Sequence, residues 1–282
     1  MKIYIDSRNR VSGSNEDFVW QLPESLDIAE SLCYVDCVLC PNVFFTIRTN
    51  YNQYIYFLEE IVTTQGGTAT IYANRAVISP GQYNGITLAL ALQTAMRGIS
   101  NLADPTQITV TYDTIHAKLK LSTTSLYGTQ IKIYPEETLK DATSGWNSVQ
   151  SLFPIDINNT LSANKACGFM GNSPIVATAA VFSLGDSVVD VQRHHCLYIH
   201  SDLATPGSSY GPQGQSDIIR RVLVEAPQNG LAIDRLTTTH DDIQVNARTL
   251  RSMSFRLAGS DGKTVDLHGH HWSFSVIFHE QI

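Results

Sequence analysis

The residues most able to do chemistry gather in a few short stretches. Gly262 is followed by His268 and then His270, which matches the opening Gly-x5-His-x-His of a known metal-binding pattern. On an extended strand, His-x-His spacing sets both imidazoles on one face, where they can chelate a transition metal. The pattern then breaks: no Glu follows until Glu280, and His271 falls on the opposite face of such a strand. A His-rich turn at a sheet edge or subunit contact accounts for the same residues. Cys33-x3-Cys37-x2-Cys40 offers the thiols of half a zinc site, but it lies in an apolar run, Leu32 to Leu39, that reads as a strand. Strict alternation there places Cys33 and Cys37 on one face and Cys40 on the other, as small apolar side chains of a core.

Three further stretches invite a catalytic reading. His194-His195-Cys196 sets imidazoles beside a thiol, although a working base is usually brought in from elsewhere in the fold. Gly207-Ser208-Ser209-Tyr210-Gly211 fits the Gly-x-Ser-x-Gly elbow, which needs a strand before it and a helix after it. Thr205-Pro206 precedes and Pro212-Gln213-Gly214 follows, so this is a surface loop. Glu59-Glu60 and Glu136-Glu137 read as solvated ends of strands or turns. Asn158-Asn159-Thr160 is a glycosylation sequon on paper only, because the chain opens with no secretory signal. No catalytic, cofactor-binding or metal residue is assigned.

The elements that would position these residues are mostly strands. Trp272, Phe274, Val276 and Phe278 alternate with Ser273, Ser275 and His279, and Met253, Phe255 and Leu257 alternate with Ser252, Ser254 and Arg256. Each is the pattern of a half-buried strand, and Ser260-Asp261-Gly262-Lys263 supplies a tight turn after the second. Cys196 to His200 and Ile218 to Val224 are two more β runs, joined by a Gly/Pro/Ser-rich loop from Thr205 to Gln215. Lys2 to Ile5, Phe18 to Leu22, Leu32 to Leu39 and Val43 to Ile47 are β candidates at the other end.

The middle is different. Tyr54 to Ile61 and Thr68 to Ile78 read as strands joined near Gly66-Gly67, and Leu88, Leu92, Ala95, Met96 and Ile99 then recur at helical spacing. The spacing predicts one helix, about Thr87 to Gly98, with Thr87 as its N-cap. Ile108 to Tyr112, Leu119 to Leu121 and Ile131 to Ile133 return to alternation. The fold class expected is mainly β: a β-sandwich built from both terminal regions, with an inserted α+β module.

The composition narrows the function classes. In 282 residues, 43% are hydrophobic and only 16% charged, with 19 basic against 26 acidic residues for a net charge of −7. An average soluble chain carries about 25% charged residues. The negative field argues against nucleic acid as a partner, no apolar stretch is long enough for a membrane helix, and five cysteines argue for reduced thiols in a cytosolic product. A surface poor in charge but rich in Ser, Thr, Asn, Gln and Tyr suits burial in interfaces.

Several segments resemble one protein family. Tyr4-Ile5-Asp6-Ser7-Arg8-Asn9-Arg10, with Ser14 and Phe18, is similar to the start of minor capsid proteins of virophages, polinton-like viruses and relatives of the large DNA viruses. Ile78-Ser79-Pro80-Gly81-Gln82-Tyr83, with Leu88 and Leu92-Gln93, resembles their Gly-x-Tyr module, and Asn164 to Phe169 resembles its closing element. Leu197 to Leu203, Phe255-Arg256-Leu257 and Val265 to Gly269 fit the same group. In size the chain resembles the penton protein rather than the much longer double-jelly-roll major capsid protein.

The resemblance implies a single jelly roll over residues 1–55 and 171–282, with residues 56–170 as the inserted domain. It further implies a non-enzymatic virion protein, made in the host cytoplasm, that forms homopentamers at the capsid vertices. The implied partners are its own copies, the major capsid protein and other minor capsid or fibre proteins, with no nucleic acid, no membrane insertion and no cofactor. The family assigns no role to Cys33, Cys37 and Cys40 or to His268, His270 and His271. Two rival readings are an attachment protein binding host glycan through Trp146, Tyr210 or Tyr51, and a cupin-like metalloenzyme using His268 and His270.

Overall fold

The structure, a computed structural model, describes residues 1–28, 31–125, 127–140, 161–179, 181–205, 207, 209–235, 242–245 and 249–280. Along the chain the strands are β1 (Lys2–Asp6), β2 (Ser12–Gly13), β3 (Asp17–Asp27), β4 (Ser31–Pro41), β5 (Tyr54–Ile61), β6 (Thr70–Val77), β7 (Ile108–Asp113), β8 (Lys118–Thr123), β9 (Gln130–Ile133), β10 (Ile175–Thr178), β11 (Ser183–Leu184), β12 (Cys196–Ser201), β13 (Ile218–Leu223), β14 (Leu231–Arg235), β15 (Ile243–Gln244), β16 (Thr249–Ala258) and β17 (Ser273–Glu280). Among the described residues the α-helices are α1 (Gly85–Arg97), α2 (Glu136–Lys140) and α3 (Asn164–Cys167). The chain divides into two compact units, an outer one of residues 1–44 with 194–282 and a middle one of residues 45–193.

The outer unit is a jelly roll, and its pairing shows why. Apart from the two-residue strands β2 and β15, its described strands in chain order are β1, β3, β4, β12, β13, β14, β16 and β17. The first pairs with the last (β1 with β17), the second with the seventh (β3 with β16), the third with the sixth (β4 with β14) and the fourth with the fifth (β12 with β13), all antiparallel. This is a long hairpin ribbon. Rolling it up brings β17 beside β4 and β16 beside β12, giving the sheets β1-β17-β4-β14 and β13-β12-β16-β3-β2. Two Greek keys in two sheets are the jelly-roll arrangement, as the fold class expected.

Alternation aims the inner faces at one core. Phe274, Val276 and Phe278 of β17 and Met253, Phe255 and Leu257 of β16 are buried in it. Its centre is aromatic: Trp272 stacks on Phe274 at 4.7 Å, and Phe255 meets Phe274 edge-on at 4.8 Å. Aromatic pairs of this kind add roughly 0.5–1.5 kcal/mol beyond the area they bury.

The middle unit is one continuous span of the chain. Its sheets are β10-β9-β5-β6 and β11-β8-β7, and α1 packs on β6 and β7. Leu88, Leu92 and Met96 of α1 join Ile55, Phe57 and Ile108 in a largely aliphatic core, while Ile99, expected on the same stripe, is exposed. The helix begins earlier than Thr87. Asn84 is the N-cap: its Oδ1 accepts from Thr87 N and its N–H donates to Thr87 Oγ1, both at 2.9 Å. Thr87 is therefore the third helical residue of a capping box.

One strand expectation also differs. Val43 to Ile47 is not a strand; the chain leaves β4 at Pro41, and Ile47 makes one isolated bridge to Gly81. Within the middle unit β10 pairs with β9 and β11 with β8.

Candidate functional site

The His-rich segment is a turn and not a strand. His268 and Gly269 have φ of 50° and 82°, and His270 N donates to Leu267 O at 2.9 Å. Two successive left-handed residues make a tight reverse turn, so His268 and His270 do not share a strand face. His268 Nδ1 lies 3.5 Å from Asp266 Oδ1, and His271 Nδ1 lies 3.2 Å from Ser7 Oγ. Among the described residues no group of three His, Cys, Asp or Glu is placed to hold a metal ion.

The cysteines need a second correction. Ser275 faces Cys37 but Val276 faces Val35, so Asp36 is an extra residue in β4. Such a bulge shifts the alternation by one from that point on. Cys33 and Cys40 therefore both face the core, and half-buried Cys37 does not. Burial pushes the Cys33 and Cys40 thiols up to about 12, which leaves them without thiolate character. The displaced Asp36 accepts from Lys2 Nζ at 2.5 Å and Ser275 Oγ at 3.3 Å. These hydrogen bonds, that to Lys2 first, hold its carboxyl below the usual carboxylate range.

The other chemical candidates are also engaged elsewhere. Cys196 Sγ lies 3.6 Å from Tyr198 Oη, and His194 is buried edge-on against Phe44 at 4.9 Å. Ser209 Oγ donates to Ile218 O at 2.5 Å, so its proton goes to a carbonyl and not to a base; Ser208 and Pro206 lie outside the described residues. Of the aromatic glycan candidates, Tyr51 lies under the Arg193 guanidinium at 3.7 Å, Tyr210 is exposed, and Trp146 lies outside the described residues, as does the sequon at 158–160.

Glu59 is the largest departure from the sequence reading. It is fully buried on β5 and accepts from Asn74 Nδ2 (2.8 Å), Ser100 Oγ (2.5 Å) and Asn101 N (2.8 Å). Its neighbour Glu60 pairs with Lys132 Nζ at 2.5 Å. Charged residues are rarely buried without such partners. Nothing near Glu59 in sequence announces its donors, which come from β6 and from the turn after α1.

Of the segments that carry the family resemblance, those in the outer unit meet in two polar clusters. In the first, buried Ser7 exchanges hydrogen bonds with Trp272: Ser7 N donates to Trp272 O at 3.0 Å and Trp272 N to Ser7 Oγ at 3.2 Å. Trp272 Nε1 donates to Asn15 O at 2.8 Å, and Leu267 N donates to Glu16 Oε1 at 3.0 Å. Arg8 grips Asp6 through Nε and Nη2, which holds the Asp6 carboxyl below its ordinary range. The cluster locks the start of the chain to the His-rich turn, and nothing in it resembles a nucleophile with its base.

In the second cluster the registers set His200, Arg256 and Asp17 side by side on β12, β16 and β3. His200 is 2% exposed, with Nδ1 at 2.6 Å from Asp217 Oδ1. Asp202 Oδ1 accepts from Ser254 N at 3.0 Å, and the Ser201 hydroxyl donates to Asp202 at 3.4 Å rather than to His200. These groups line a cleft of about 250 Å³. The pairing of His200 with Asp217 spans the long loop between β12 and β13, so no local pattern reveals it.

No family model matches the chain, and no curated protein does. Solved structures do match. Among them is the crystal structure of the mavirus penton protein, similar over 100% of both chains with a TM-score of 0.52 and 11% sequence identity. The likeness is one of fold along the whole chain.

Proposed function

We propose that this chain is a penton: a structural, non-enzymatic capsid protein that forms homopentamers at icosahedral vertices. The observation that carries the reading is the likeness of fold to the mavirus penton protein over the full length of both chains. The chain's own chemistry agrees with it. A charge fraction of 16% suits surfaces covered by neighbours, and the buried thiols, the His-rich turn and the His200–Asp217 pair all act as structure.

In this reading the jelly roll is the shell-forming part, and its base contacts neighbouring trimers of the major capsid protein. The α+β module is entered after β4 and left before β12, where an insertion between strands is tolerated. Virions contain the chain at their vertices, beside any other minor capsid or fibre proteins there. Cryo-electron microscopy of the particles tests this directly. The expected result is density for five copies around each five-fold axis; density at any other position on the shell overturns the reading.

A further inference from the structure

We infer that the junction between Ser7 and His271 is a proton-sensitive lock, closed while His271 is neutral and opened when His271 takes up a proton. The inference does not depend on the pentamer reading.

The lock follows from the bonding capacity of one buried hydroxyl. Ser7 is fully buried, and among the described residues its Oγ has two partners, Trp272 N and His271 Nδ1, each at 3.2 Å. A backbone N–H only donates, so Trp272 uses the oxygen as an acceptor. The hydroxyl has one proton of its own to give, and His271 Nδ1 is the acceptor in reach. Neutral His271 therefore carries its proton on Nε2 and turns a lone pair towards Ser7. His271 is an exposed residue, so solvent protons reach it.

Protonation places a hydrogen on Nδ1 and makes a second donor of the group that faces Ser7 Oγ. Two donors then point at one oxygen, and the serine proton is left without an acceptor in a place closed to water. A buried donor stripped of its partner costs its full desolvation, which the junction relieves by opening. The same contact carries the paired backbone bonds of Ser7 and Trp272, so opening releases the chain just after β1 from the chain just before β17.

The charged groups around the junction are already engaged. Asp6 lies within reach of a charge on His271, but Arg8 grips its carboxylate through Nε and Nη2. Arg10 Nη1 donates to Ser7 O at 2.9 Å, Glu16 accepts from Leu267 N, and Asp266 lies beside His268. Exposed His270 charges over the same range as His271 and adds to the repulsion. With Asp6 neutralised by Arg8, the orphaned hydroxyl sets the direction of the response.

The test is by NMR on the full chain and on His271→Gln, whose amide oxygen accepts from Ser7 but does not titrate. Ring nitrogen shifts locate the imidazole proton, and hydrogen exchange of the Trp272 amide, corrected for its intrinsic rate, reports whether the junction is closed. At about pH 8 the Nε2–H form of His271 is expected. As the pH falls to about 5, across the range in which imidazoles charge, the Trp272 amide is expected to exchange about tenfold faster, the effect of one stranded buried donor, in step with the titration of His271. His271→Gln should show no step, and His270→Gln should keep it. An Nδ1–H form at the upper pH, an unchanging Trp272 rate in the wild type, a step that survives in His271→Gln, or one that vanishes in His270→Gln overturns the inference. If circular dichroism shows that His271→Gln does not fold, the position of the proton and the wild-type step decide between the same outcomes.

Discussion

The outer unit joins residues from opposite ends of the chain, whereas the middle unit draws on one continuous stretch. Lys2 to Asp6 pair with Ser273 to Ile277, and the core between them is centred on Phe18, Phe255, Trp272 and Phe274. In the middle unit β5 pairs with β6 and β7 with β8 across short turns, the core is mostly Ile and Leu, and a carboxylate is buried beside it. Long-range pairing is slow because loop closure precedes any stabilising contact. The jelly roll therefore depends on interlocking aromatics that are useful only once both termini are in place. The middle unit, contiguous in sequence, can organise around one helix and one buried hydrogen-bond network.

Substitutions that strike one unit should leave the other intact. The largest effect is expected for Trp272→Ala, which empties the centre of the jelly roll and costs about 3–5 kcal/mol. Hydrogen exchange followed by peptide should accelerate in β1, β3, β16 and β17 but not in β5 and β9; equal acceleration in both sets would break the contrast. Next is Glu59→Ala, which strands the donors of Asn74, Ser100 and Asn101 at about 2–4 kcal/mol. Here the loss should appear in β5, β6 and α1 while β16 and β17 keep their protection. Asn84→Ala removes half of the capping box and should cost about 1 kcal/mol, visible as faster exchange in the first turn of α1; an unchanged rate there would mean Thr87 caps the helix after all.

The smallest effect concerns pH and the outer unit. His279 Nε2 lies 2.9 Å from Asp242 Oδ1, and that hydrogen bond raises the imidazole above its ordinary 6.5. A raised folded-state value means the contribution is complete below 6.5 and is lost as pH rises through the higher value. Exchange at β15, which follows Asp242, should quicken on that rise in the wild type and show no such step in His279→Gln. A matching step in the variant would assign the titration to another group.

Much of the fold is legible in the sequence because alternation is a local signal. The strands over 253–257, 272–278 and 54–61 stand where their patterns put them, and Gly262 turns the chain after β16 with φ of 71°. What escaped depends on single insertions or on distant partners. One extra residue, Asp36, reverses the faces of Cys37 and Cys40 relative to Cys33, and no composition marks a bulge in an apolar run. Asn84 and Thr87 are both good caps, and only the geometry says which comes first. A His-Gly pair can turn the chain as Asn-Gly does, which removed the strand that a two-histidine metal site requires. Glu59 and His200 owe their settings to residues brought in from other strands and turns. Such sites are written in the topology, and the topology follows from the pairing of all the strands together.

The most direct test of the central claim is the mass of the purified full-length chain under native conditions, across a range of concentrations. A closed species of five chains is the expected result, stable on dilution and free of larger open polymers. A two-fold dimer as the terminal species would contradict it, because a dimer saturates with one self-complementary patch and leaves no contact with which to encircle a vertex.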